Sequence, residues 1–253
     1  MPGQRPTTEP SANAGGSSVS GPAPALVGLA HGSRHADGTR AVEQLMALVG
    51  TTGDVDARPA FLDLAEPDLR TTAAALVATG HRSAVVVPLL FTVAFHATVD
   101  VPEAVAEASA STGLELVVAD ILGTGEDTLA LLRTSLAAGA VPDDHDVLLY
   151  AVGSSNAAAN DAVHDLAARL ERRRGGRVRA AFATADPRAP AVLPELGDPV
   201  ALLPLFLSPG LLLGPLATLA RERGWTVLPP LGDLAAPMVL RRHAAAWQRS
   251  GLR

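Results

Sequence analysis

Ala25-Leu26-Val27-Gly28-Leu29-Ala30 is an unbroken run of apolar and small residues that stops abruptly at His31, Gly32, Ser33 and Arg34. Apolar positions with no 3.6-residue stripe predict a strand covered on both faces, as in the parallel sheets of α/β proteins. After it the pattern alternates. Ala41, Val42, Leu45, Met46, Leu48 and Val49 set a helical stripe over 37–49. Residues 55–62 read as strand, 67–78 as a helix opened by Pro67, and 83–90 as a second strongly apolar strand. A helix over 102–111, a strand over 114–119 and a helix over 125–138 follow. Strands separated by helices of this length predict a parallel sheet with right-handed crossovers.

At Asp146 the pattern begins again. Val147 to Ser154 lines up with Leu26 to Ser33, which sets Val152 against His31. The same spacing sets Val178 to Phe182 against Ala57 to Phe61, and one residue shorter it sets Asp186-Pro187 against Glu66-Pro67. Val200 to Phe206 echoes Ala84 to Leu90, and Gly232 echoes Gly123. The chain therefore reads as a duplicated α/β lobe, with lobes at 24–141 and 142–253, each of ordinary domain size. The expected fold is two similar Rossmann-like lobes with parallel sheets. Residues 1–23, rich in Pro, Gly, Ser, Thr and Ala, read as a disordered tail.

Composition narrows the chemistry. The 253 residues include no cysteine, which removes disulfides, thiolate metal sites and cysteine nucleophiles. A net charge of −6 argues against a nucleic-acid binder. No apolar run reaches the roughly 18 to 20 residues that a membrane span needs, and the opening residues lack the core of a secretory signal, so cytoplasmic location is expected.

The repeat supplies an internal comparison. Glycine, proline and apolar positions recur, whereas His31 is replaced by Val152, and His96 by Leu211 or Leu212. Recurring residues serve the fold; the two imidazoles that appear once are the candidates for chemistry. A histidine at a strand tip titrates near neutral pH and can bind a metal ion, and in open α/β sheets ligands bind beyond the carboxyl ends of the strands. Asp63, at the exit of the second strand, can help bind a divalent cation or accept a proton, or else cap the next helix with Glu66 in its first turn. Asp100 reads either as a helix N-cap or as a partner orienting His96. Gly32, Ser33 and Arg34 offer amides, a hydroxyl and a guanidinium to an anionic group such as phosphate or carboxylate. His35, His81, His145, His164 and His243 read as surface residues, and Trp225 and Trp247 as packing. No phosphate-binding GxxxxGK[ST] or GxGxxG motif and no GxSxG serine-nucleophile elbow occurs, so nucleotide and serine-hydrolase readings have no support.

Taken in order, Leu26 to Arg34, Ala60 to Pro67, Val85 to Leu90, His96 to Pro102 and Leu122-Gly123 resemble the CbiX/SirB group of class II chelatases. The resemblance covers about residues 25 to 135 well and the second lobe weakly. It implies insertion of iron or cobalt, as the divalent ion, into sirohydrochlorin for sirohaem or cobalamin, by a duplicated two-lobe protein with one active cleft. It implies His31 and His96 as catalytic and metal-holding, Asp63 as a further metal ligand where the family usually has glutamate, and Gly32, Ser33 and Arg34, with Arg40 near them, as substrate-binding. Leu90 to Phe95 departs from the glycine-rich character common before the second histidine. No cofactor beyond the metal substrate is expected, nor a nucleic-acid or membrane partner, and the protein would act as monomer or homodimer. A non-catalytic tetrapyrrole or metal carrier, and a phosphate-binding enzyme using His31 and Arg34, are the competing readings.

Overall fold

A computed structural model describes residues 24–93 and 99–251. The expectations for the tail at 1–23 and for His96 fall outside the described residues. The first lobe runs β1 (Ala25–Ala30), α1 (Ala36–Gly53), β2 (Ala57–Phe61), α2 (Leu69–Ala78), β3 (Ser83–Pro88), α3 (Val101–Thr112), β4 (Glu115–Val118) and α4 (Glu126–Ala138). The second runs β5 (Asp146–Ala151), α5 (Ala157–Glu171), β6 (Val178–Phe182), α6 (Ala189–Val192), β7 (Val200–Pro204), α7 (Gly214–Glu222), β8 (Thr226–Val227) and α8 (Ala236–Ser250). The two sheets are wholly parallel, in the orders β2-β1-β3-β4 and β6-β5-β7-β8.

The duplication extends to individual backbone hydrogen bonds. Leu26 pairs with Ala57 and Val147 with Val178; Ala25 pairs with Ala84 and Asp146 with Val200. At the strand exits, Phe61 N–H donates to Pro67 C=O and Phe182 N–H to Pro187 C=O, both at 3.0 Å. Asp63 N–H donates to His31 C=O at 2.9 Å, and Thr184 N–H to Val152 C=O at 2.8 Å.

Every residue of β1 is buried, because its alternating side chains serve two cores. Val27 and Leu29 face an outer core shared with Leu69, Ala73 and Leu76 of α2 and with Ala108 of α3. Leu26 and Ala30 face a central core holding Leu45 and Met46 of α1, Leu132 of α4, Leu166 of α5, Met238 and Val239 of α8, and Leu149 and Leu203 of the second sheet. The lobes thus share one interior. They also exchange helices across it: α8, at the end of the chain, packs on β3, β4 and α1, while α4 packs on β7 and α5.

Several local expectations are corrected. α2 begins at Leu69 rather than Pro67. Pro67 C=O is used by Phe61 N–H, and the Asp68 carboxylate caps the helix by accepting from Thr71 N–H at 2.7 Å. Asp63 and Glu66 therefore precede the helix and do not cap it; Glu66 accepts instead from Asp68 N–H at 3.1 Å. Asp100 stands at the N-cap of α3 in helical conformation with no side-chain capping bond. His243 is not a surface residue: it is buried on α8, its Nε2 3.0 Å from Pro24 C=O. His81 pairs with Asp56 at 3.1 Å, and His164 packs edge-on against Phe182. Trp225 and Trp247 lie partly buried against the hydrophobic cores.

Candidate active site

In a sheet ordered 2-1-3-4 the chain leaves β1 toward one side and β3 toward the other, so a crevice opens at their carboxyl ends. His31 follows β1 directly, and Leu89 to Thr92 follow β3. β5 and β7 form the equivalent point in the second lobe. The two crevices face each other and merge into one cleft of about 790 Å³, a volume suited to a drug-sized or larger organic ligand.

On the first-lobe wall stand His31, Gly32, Ser33 and Arg34, with Phe61, Leu64 and Leu89 to Thr92. His31 is partly buried and Arg34 is exposed. Gly32 is in the left-handed region (φ 100°), and a Cβ there would come within 1.8 Å of Asp63 C=O. Only glycine turns the chain so sharply between the histidine and the serine. Ser33 Oγ accepts from His35 N–H at 3.0 Å, which ties the turn to the start of α1. Arg34 is the one fully charged side chain among the described residues that line the cleft. Arg40, by contrast, is engaged by Asp37 at 2.9 Å on the exposed side of α1.

The second-lobe wall repeats the turn with different flanks. Gly153 is again left-handed (φ 87°), and Ser154 Oγ accepts from Asn156 N–H at 3.0 Å. The flanking histidine and arginine of the first lobe are replaced by Val152 and Ser155, and Leu205 to Leu212 complete the wall. Tyr150 reaches from β5 to donate its hydroxyl to Leu212 C=O at 3.3 Å. Burial holds this phenol above its usual pKa, so it stays a donor.

The sequence candidates are thus partly gathered. His31, Gly32, Ser33 and Arg34 share one wall. Asp63 lies just behind Gly32, but its carboxylate is exposed and accepts from Leu64 N–H at 2.7 Å, outside the described lining of the cleft. Among the described residues no group of three His, Cys, Asp or Glu side chains is placed to hold a metal ion. Sequence reasoning missed Tyr150, whose signal was a lone tyrosine inside an otherwise aliphatic strand.

Two parallel α/β lobes joined around one cleft, with the histidine-bearing turn in one lobe only, define a duplicated chelatase-like architecture. The chain belongs to the CbiX family, whose sequence profile matches residues 25–138 and 146–223 and so reaches into both lobes. The Bacillus subtilis SirB structure with Fe3+ superposes with a TM-score of 0.74 at 22% identity, covering 90% of this chain and 98% of that one. Sirohydrochlorin chelatase SirB from Bacillus subtilis subspecies spizizenii in complex with cobalt gives 0.72 at 24% identity, covering 90% and 97%. CbiX, described as the terminal enzyme of siroheme biosynthesis in denitrifying bacteria, gives 0.65 at 21% identity, covering 90% and 100%. No curated protein sequence matches this chain. Among the described residues no helix is long and apolar enough to cross a membrane.

Proposed function

We propose that this protein is a sirohydrochlorin chelatase, which inserts a divalent metal ion, iron or cobalt, into the free macrocycle. The observation that carries the reading is His31, delivered by a buried central strand to the mouth of a cleft large enough for a tetrapyrrole, in a chain of the CbiX family.

The reaction takes M²⁺ and a macrocycle bearing two pyrrole N–H groups, forms the metallated ring and releases two protons. Neutral imidazole can hold the incoming cation or accept a ring proton near physiological pH, and we assign those tasks to His31 together with His96. Nitrogen and oxygen ligands without thiolate hold the metal loosely enough to pass it on. Arg34 with the amides and hydroxyl of Gly32 and Ser33 would engage a peripheral carboxylate of the substrate. Asp63, set behind the turn, would draw the cation toward His31 as an outer carboxylate rather than a direct ligand. The metal is a substrate, and no further cofactor enters the scheme.

The test is anaerobic. Purified protein is mixed with sirohydrochlorin and Co²⁺ or Fe²⁺, and the absorbance change of insertion is followed for wild type, His31→Ala and His96→Ala. Loss of insertion in either variant with the fold intact supports the assignment. Insertion by both at the wild-type rate overturns it.

A further inference from the structure

The second-lobe wall holds apolar side chains in water where the first lobe holds its histidine. Val152 is 42% exposed, Leu211 71% and Leu212 43%, and all three line the cleft. Val152 occupies the position of His31, as the matching strand registers establish. The loop bearing Leu211 and Leu212 is pinned at two points. Tyr150 donates to Leu212 C=O and stacks on Phe206 with ring centroids 5.8 Å apart. Pro209 C=O sits against the first turns of α1, where a Cβ added to Gly38 would lie 3.2 Å from it. A rigidly displayed apolar patch beside polar groups in a cleft marks a surface built to be covered.

We propose that Val152, Leu211 and Leu212 form an apolar bed on which one face of the conjugated macrocycle rests, leaving its other face to His31. This inference rests on the chelatase reading and adds the orientation of the substrate. The flat ring of a tetrapyrrole is apolar while its rim carries carboxylates, so a bed of aliphatic side chains on one wall and Arg34 at the edge of the other match both parts. None of the three bed residues can ligate a metal. Where the ring rests on them the metal meets no ligand, so the imidazole side of the ring is the first lobe's. A single set of histidines then suffices in a protein with two homologous walls.

The test replaces Leu211 and Leu212 by asparagine, which is polar but neutral and so does not repel the substrate's carboxylates. Binding of metal-free sirohydrochlorin is read from its fluorescence, and binding of Co²⁺ alone by calorimetry. The expected result is a loss of macrocycle affinity of about tenfold or more, with KM rising far more than kcat falls, unchanged Co²⁺ binding, and recovery in the Leu211→Met/Leu212→Met variant. Should the double variant fail to fold, Leu211→Asn alone serves, since that side chain is mostly in solvent. Wild-type affinity in a folded asparagine variant overturns the bed while leaving the chelatase reading intact. A wild-type protein that does not bind sirohydrochlorin at all overturns both.

Discussion

Gly32 and Asp63 touch backbone to backbone: a methyl group on Gly32 would overlap the Asp63 carbonyl oxygen at 1.8 Å. The contact locks the turn after β1 onto the exit of β2, with Asp63 N–H donating to His31 C=O at 2.9 Å as the second fastening. The angle at which His31 enters the cleft is therefore set by a residue with no side chain.

Gly32→Ala is accordingly expected to cost about 1–3 kcal/mol from its left-handed backbone alone, with the overlap added. Because the distortion falls between His31 and Ser33, metal insertion should fall much more than thermal stability predicts. Parallel melting curves and initial rates check this. The equivalent Gly153→Ala, on the wall without a histidine, should lower stability with a smaller effect on kcat.

Arg242 anchors the exchanged helix α8. Its Nε donates to Ile121 C=O and one Nη to Leu122 C=O, both at 2.9 Å, while the other Nη meets Asp127 at 3.1 Å. The side chain is only 22% exposed, so Arg242→Ala leaves partly buried carbonyls unmatched and should cost about 2 kcal/mol or more by denaturant unfolding. Since α8 covers β3 and β4 of the first lobe, a fragment ending at residue 141 should expose that face and fail to give a cooperatively folding monomer.

His243 predicts an acid-sensitive fold. Burial lowers its pKa below the usual value of 6.5, and the hydrogen bond to Pro24 C=O opposes this more weakly. A carbonyl only accepts, so the ring donates through Nε2 as the neutral tautomer. Protons then bind preferentially to the unfolded chain. The stability is fully present above pH about 6.5 and is lost as pH falls through that value toward the lower folded pKa. Melting temperatures of wild type and His243→Asn between pH 8 and 5 should diverge at high pH and converge at low pH. Parallel curves would contradict the assignment.

Much of this was legible because each strand of the first lobe has a counterpart in the second. The apolar runs at 25–30 and 147–151 serve two cores at once, which erases any stripe and marks them as central strands. The differences His31 to Val152 and His96 to Leu211 or Leu212 stood out against matched glycines and prolines. What escaped the sequence depends on contacts distant along the chain. Nothing near His243 says that it meets Pro24, and nothing in α4 or α8 says that each crosses to the other sheet. The helix start at Leu69 was misplaced because Pro67 resembles a first-turn proline, yet its carbonyl is taken by Phe61, and Asp68 does the capping. Asp63 reads either as a carboxylate for a cation or proton or as a helix cap, and it is not the cap: its oxygen accepts from Leu64 N–H at 2.7 Å, while Asp68 accepts from Thr71 N–H.

The most direct measurement counts turnovers. Under anaerobic conditions, limiting protein is given a large excess of sirohydrochlorin and Co²⁺, and metallated product is quantified per protein molecule against a protein-free control. A chelatase yields many equivalents, with formation abolished in His31→Ala. Product that stops at one equivalent, or forms at the uncatalysed rate while the macrocycle remains bound, contradicts the account and makes the protein a carrier.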